Sequence, residues 1–261
     1  MKKVSDSAVI GENVQIGEFT VIDEDVKIGD DCIIGNNVVL HEGTDIGNEV
    51  RIDDNVVIGK QPMRGVHSIF ADNEKYDPPR IGDETLIGTG VVIYAGSKIG
   101  GSVLMADLAT LREDSSIGDN TIVGRNVTIE NYCQVGSDCK LQTNCYITAY
   151  SEIGDYVFVA PGVVTTNDNF AGRSEERFKY HKGIIVEDGG RIGANVTTLS
   201  GLTIENDALV AAGSILTEDA PAKKIVMGSP ARVHKEVPEA QLLENQTFYT
   251  EGDDTDGSSS A

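Results

Sequence analysis

The chain contains no tryptophan, and aromatic residues make up only 5% of it. A core built from large rings is excluded, so any core must be aliphatic. No apolar run is long enough to cross a membrane, and Lys2 and Lys3 are followed by no apolar h-region. Neither a span nor a secretory leader is expected, and the expected location is cytoplasmic. Positive charge is scarce as well: 21 Lys and Arg face 42 Asp and Glu, for a net charge of −21. That balance argues against a nucleic-acid partner. Anionic ligands then need local help from backbone N–H groups and a few Lys or Arg. Histidine is scarcest where it would matter most. His41, His67, His181 and His234 all lie outside 81–164. A metal site of stacked histidines has no ligands there, so no metal is expected. A hydroxyl nucleophile has no base there either, unless His181 swings in from its loop.

One rule organises what is present. Every sixth residue from Ile81 to Val159 is aliphatic, and four residues after each comes a small or β-branched one, from Thr85 to Val163. The same pattern runs from Val4 to Ile58 and returns more loosely from Val186 to Val210. A period of six fits neither a helix near 3.6 nor an alternating strand. It fits short strands and tight bends wound around a three-sided prism, one coil per about eighteen residues, a parallel β-helix of hexapeptide repeats. Gly, Asn and Asp between the strands are expected to tolerate the bends. Cys32, Cys133, Cys139 and Cys145 occupy the small interior position, and the last three fall on different walls. They read as buried inert thiols.

Two segments break the rule, 59–80 and 165–185. The first holds Arg64, His67 and Tyr76; the second holds Asn167, Asp168 and a charged run. Each is either a tolerated insertion or a binding loop on a rigid scaffold. The expected organisation is a β-helix over 1–216 carrying these two loops, an exit segment with a short helix after Pro238 over 217–249, and a disordered acidic tail over 250–261. Residues eighteen apart share a wall, so Glu113, Asn131, Ala149 and Asn167 should form one column, and Asp114, Tyr132, Tyr150 and Asp168 the next.

The hexads, together with the exit Gly228-Ser229-Pro230-Ala231-Arg232, resemble the left-handed β-helix acyltransferases. More narrowly, four blocks are similar to the N-acetyltransferases acting on nucleotide-linked 3-amino sugars, the dTDP-3-amino-3,6-dideoxyhexose type above all. These are Met105-Ala106-Asp107-Leu108-Ala109, Ile147-Thr148-Ala149-Tyr150, the run from Ala160-Pro161-Gly162 to Asn167-Asp168-Asn169-Phe170, and Gly189 through Asn195. The resemblance implies an all-β, left-handed β-helix, a homotrimer, acetyl-CoA as co-substrate, and a site between subunits. It puts Asn167 and Asp168 near the sugar amine, and Asn131 where relatives carry His. Gly193, Ala194, Ala211 and Ala212 would let pantetheine lie close to the backbone, while Lys223, Lys224 and Arg232 would meet the phosphates of the acyl carrier. Glu113, Tyr150, Arg64 and Tyr76 are the candidates for holding the nucleotide sugar. The expected activity is acetyl transfer to the 3-amino group of a dTDP- or UDP-linked sugar. O-acyl transfer to a sugar hydroxyl and a non-catalytic binding solenoid are the alternatives.

Overall fold

The computed structural model describes residues 2–63, 65 and 75–246. Its strands, most of them two residues long, stack into three parallel sheets of eleven, ten and twelve strands. We call them walls A, B and C. Successive strands visit A, B and C in turn, so each hexad is one side of the prism and each coil pairs with the next at a spacing of 18. Among the described residues only the last pairing is antiparallel, where Ala231–Glu236 folds back on Lys224–Gly228.

The packing follows from the hexad. From 81 to 159 every aliphatic of the series is buried, Ile99 being the most exposed at 5%. Replacing one with Ala would cost roughly 2–5 kcal/mol. The small residues four positions on are buried as well. Those with a hydroxyl or thiol also serve the backbone. Thr85, Ser115, Thr121, Cys133 and Cys139 each donate to a carbonyl 15 residues ahead, at 2.9–3.1 Å. A bend carbonyl buried between coils is thereby satisfied.

Glycine does a different job from the one its composition suggests. The residue with left-handed backbone is the fourth of each hexad, and it is usually Asn, Asp or another non-glycine, such as Asn120, Asn126 and Asp138. The frequent glycine directly after the interior aliphatic is needed for closeness. A Cβ on Gly118 would lie 2.5–2.7 Å from atoms of Gly136 and Ser137 in the next coil. The Asp or Asn that follows caps the coil before it. Asp30, Asp54, Asp83, Asp119 and Asp155 accept backbone N–H groups at 2.6–2.8 Å. Part of the acidity is therefore structural.

The repeat breaks where the sequence indicates. Ile58 pairs with Ile93 and Ile153 with Val186, at separations of 35 and 33 instead of 18. The helix expected after Pro238 is instead two short 3-10 turns, Glu239–Gln241 and Leu243–Asn245, with Pro238 capping the first. Leu242 is extended between them (φ −69°, ψ 146°), and each turn closes on i→i+3 bonds, Gln241 N–H to Pro238 and Asn245 N–H to Leu242, rather than on the i→i+4 bonds of an α-helix. The acidic tail lies outside the described residues.

Candidate functional site

Both excursions leave the prism at the same edge. The first runs from Val57–Lys60 on wall A to Arg80–Ile81 on wall B, and the second from Val164–Thr165 on wall A to Ile185–Val186 on wall B. Between them the A–B edge passes through four intact bends, with Gly96, Asp114, Tyr132 and Tyr150 at the left-handed position. Tyrosine is an expensive choice there: φ values of 59° and 64° at Tyr132 and Tyr150 suit Gly or Asn better, at a strain of about 1–3 kcal/mol. Their side chains supply the compensation. The two rings stack 5.2 Å apart and nearly parallel, at 14°. Below, the Tyr76 hydroxyl from the first excursion hydrogen-bonds the Tyr132 hydroxyl. Above, His181 from the second excursion packs edge-on against Tyr150, centroids 5.9 Å apart. A ring ladder thus joins the two excursions along the edge. Gln61 closes the neck of the first by bonding both the N–H and the carbonyl of Tyr76, at 3.1 and 2.9 Å.

Beside the ladder lies a buried charge cluster. Glu113 has no exposed surface, and its two oxygens accept from Arg112 at 2.8 and 3.2 Å. Arg112 also reaches Glu130 at 3.3 Å and lies over the Tyr94 ring. Burial alone would lower the Arg112 pKa, but Glu113 and Glu130 outweigh it and hold the guanidinium above its ordinary value. Glu113 thus braces the edge from within. Asn131, 4% exposed, keeps a buried amide nitrogen with no partner among the described residues. An orphaned donor of this kind in a polar corner calls for an acceptor.

The expected columns hold for Glu113, Asn131 and Ala149, and for Asp114, Tyr132 and Tyr150, but not beyond. A Cβ on Gly183 would meet the Tyr150 carbonyl 2.4 Å away, and the Ile184 N–H reaches the Ser151 hydroxyl. Lys182 and Gly183 therefore continue the columns, while Asn167 and Asp168 open the excursion. The eighteen-residue register does not carry across the insertion that begins one residue after the Thr165 strand. Asp168 anchors that excursion. Its carboxylate accepts from Phe170 and Gly172 N–H at 2.8 and 2.9 Å and pairs with Arg177 at 3.0 Å. Burial pushes its pKa up, but the Gly172 and Phe170 N–H groups and Arg177 outweigh it, and the net shift is downward. Asn169 ties the loop down, accepting from the Ser200 N–H at 3.0 Å.

The acyl-carrier candidates lie further along. A Cβ on Gly193 would meet the Ala212 backbone nitrogen at 2.4 Å, so coil stacking already demands that glycine. Ala194 and Ala211 are half-buried and Ala212 is exposed. The three candidate cations of the exit segment each have a glutamate: Lys223 with Glu244 at 3.1 Å, Lys224 with Glu236, and Arg232 with Glu218 at 3.4 Å. Such exposed pairs hold weakly and yield readily to a phosphate. Arg64 lies outside the described residues. Among those described, no group of three His, Cys, Asp or Glu could hold a metal, and no helix is long and apolar enough to cross a membrane.

The shared edge was missed in the sequence, although counting hexads modulo three shows both breaks following a wall-A strand. Lys27, Arg80 and Lys98 were missed too. Arg80 and Lys98 are eighteen apart and share a wall by the repeat, whereas Lys27 precedes the first excursion and only the fold brings it onto the same ladder.

Comparison with known proteins agrees with this build. The model for the bacterial transferase hexapeptide (six repeats) matches residues 7–42, and that for the hexapeptide repeat of succinyl-transferase matches 25–60, 115–149 and 183–218. A 58-residue stretch is 47% identical to 2,3,4,5-tetrahydropyridine-2,6-dicarboxylate N-acetyltransferase of Staphylococcus aureus (strain JH9), covering 22% of this chain and 24% of that protein. The match thus spans about a quarter of the curated relative. UDP-N-acetylglucosamine O-acyltransferase from Moraxella catarrhalis RH4 superposes with a TM-score of 0.56 at 19% identity, over 92% of this chain and 74% of that one. The UDP-N-acetylglucosamine acyltransferase from Bacteroides fragilis 9343 gives 0.51 at 21% identity, over 90% and 73%. At these identities the two structures speak to fold alone. Repeat, topology and superposition together make this chain a left-handed parallel β-helix of the hexapeptide-repeat kind.

Proposed function

We propose that the protein is an acetyl-CoA-dependent N-acetyltransferase acting on the 3-amino group of a nucleotide-linked deoxy sugar, working as a homotrimer. The A–B edge carries this reading. Between two excursions it offers tyrosine edges, an unpartnered amide donor and a braced carboxylate, and no imidazole stands on its walls. That set suits an acceptor that brings its own nucleophile. An unprotonated amine attacks a thioester without a strong base, whereas a sugar hydroxyl needs one.

In the proposed reaction the amine nitrogen forms a C–N bond to the thioester carbonyl carbon. The resulting tetrahedral oxyanion takes hydrogen bonds from backbone N–H groups and from the Asn131 amide. The C–S bond then breaks, and the proton lost by nitrogen ends on the departing thiolate. Holding amine and thioester in line supplies several kcal/mol, and that task falls to the second excursion, with Asn167 and Asp168 facing the amine. Asp168 contributes by fixing the loop as well as by accepting from the amine. Gly193, Ala194, Ala211 and Ala212 line the pantetheine path, and Lys223, Lys224 and Arg232 exchange their glutamates for phosphates. The N-acetyltransferase relative supports the amine acceptor over the matched stretch.

One observation favours O-acyl transfer: His181 already touches the ladder. The test is thiol release from acetyl-CoA with paired acceptors, a nucleotide-linked 3-amino-3,6-dideoxyhexose and its 3-hydroxy counterpart. Acetylation of the amine alone is expected. Acetylation of the hydroxyl sugar alone would reverse the assignment, and release with neither would leave a binding solenoid.

A further inference from the structure

The outward faces of the three walls differ in charge. On wall B the outward positions at the first excursion read Lys27, Asp45, Arg80 and Lys98 on consecutive strands. Arg80 stands directly opposite Lys98 in register, a like-charge pairing that destabilises a sheet. None of Lys27, Arg80 or Lys98 has an ion-pair or side-chain hydrogen-bond partner among the described residues. By contrast, Lys223, Lys224 and Arg232 of the exit segment are each paired with a glutamate. In a chain of net charge −21, three free cations on one ladder are a departure that electrostatics alone does not favour.

These side chains line a cleft of about 660 Å³, roofed by the end of the first excursion at Asp77 and Pro78 and bounded at the A–B edge by Gly96 and Asp114. Its carboxylates are Asp45, Asp77 and Asp114, none within ion-pair distance of the ladder cations. The cleft is continuous with the candidate site, since Asp114 belongs to the same column as Tyr132 and Tyr150. Those rings sit one and two coils further on, about 5 and 10 Å at the strand spacing.

We propose that this cleft holds the diphosphate of the nucleotide-linked sugar, with Arg80 and Lys98 as its principal ligands and Lys27 at its outer end. The inference rests on the acetyltransfer reading for its direction: a diphosphate at Lys98 sends the sugar along the edge, past Tyr132 and Tyr150, toward the second excursion. The mixed lining favours this occupant over a bare polyphosphate. Cations suit the diphosphate oxygens, and the three carboxylates accept from ribose and sugar hydroxyls. The phosphates of coenzyme A share the anionic chemistry, and the experiment separates the two.

The test uses the full chain and its Arg80→Ala/Lys98→Ala variant, each titrated calorimetrically with thymidine diphosphate, uridine diphosphate and coenzyme A. Lys98→Met alone serves as a milder second variant. Both substitutions are on exposed side chains and remove a repulsive pair, so melting temperature should hold or rise. The expected result is a loss of about tenfold or more in nucleoside diphosphate affinity in the double variant, with coenzyme A affinity unchanged. Wild-type diphosphate affinity should fall as salt is raised. Unchanged nucleoside diphosphate affinity overturns the proposal, and so does selective loss of coenzyme A. The enzymatic reading fails separately: a wild type that binds the diphosphate through this cleft but acetylates no amino sugar keeps the cleft and loses the acceptor. An active double variant with an unmoved KM for the amino sugar loses the cleft and keeps the acceptor.

Discussion

At the scale of single residues, burial decides which groups are reactive. Burial pushes Cys133 and Cys145 up to about 12 and Cys139 to about 11. The native thiols are therefore protonated at pH 8 and should resist alkylation until the chain unfolds. The sign for stability follows. These pKa values are raised above the unfolded value near 8.5, so stability is fully present below that pH and falls as pH rises toward about 12. Alkylation of folded protein at the unfolded rate would contradict this. Asp168 belongs to the opposite case, a carboxylate held below its ordinary value by backbone N–H groups and Arg177. What it contributes to loop order is present above the ordinary Asp range and is lost as pH falls through its depressed value. Asp168→Asn keeps the shape but weakens three hydrogen bonds. Turnover should fall strongly while coenzyme A still binds, as steady-state kinetics and calorimetry would read; unchanged turnover would remove Asp168 from the site. None of this detail is visible in sequence. The spacing marks residue 168 as polar and near a break, but its partners Gly172 and Arg177 lie inside a segment with no period.

At the scale of the hexad, the sequence is nearly a full description. The interior series and its small companions are buried as their spacing requires. The bends were legible as bends, but the reason for their glycines was not, because a close approach to the next coil is a property of the stack. The left-handed position offers a direct check. In the column of Gly90, Leu108, Asn126, Asn144 and Gly162, only Leu108 is bulky, at φ 61° and 56% exposed. Asn126 already donates to Asn144 at 2.9 Å. Leu108→Asn relieves the strained backbone and extends that amide ladder, so it should stabilise the fold by about 1 kcal/mol. A denaturant midpoint that moves down instead would mean that the leucine side chain is held by a partner. The tyrosines at 132 and 150 carry the same strain without that remedy, since their rings tie the excursions together. The register error at 167 and 168 has a simple origin: periodicity extends across coils of fixed length, and the insertion point falls within a bend.

At the scale of the molecule, the walls divide the work. In the register row of Val21, wall A carries no charged residue from Val21 to Ile215 over ten strands, among them Val39, Val57, Val92, Tyr146 and Val164, while Lys60 ends the Val57–Lys60 strand over the Tyr94 ring. A row of uncharged residues of that length, in an acidic chain, is suited to burial against other copies. It adjoins the A–B edge, so a partner packed on wall A would also flank the candidate site, as a trimer with shared sites requires. Val39→Asp with Val92→Asp should prevent the proposed trimer and abolish turnover together. Light scattering that shows an active monomer would exclude shared sites. The reaction proposed for this edge is acetyl transfer to an amine that supplies its own nucleophile. It is tested most directly by the pH dependence of kcat/KM for the amino sugar, measured for the wild type and His181→Ala. The expected profiles coincide, each rising only with deprotonation of the substrate amine. A limb near the histidine range, about pH 6.5, that vanishes in a folded, substrate-binding but inactive His181→Ala would contradict the claim and make His181 the base.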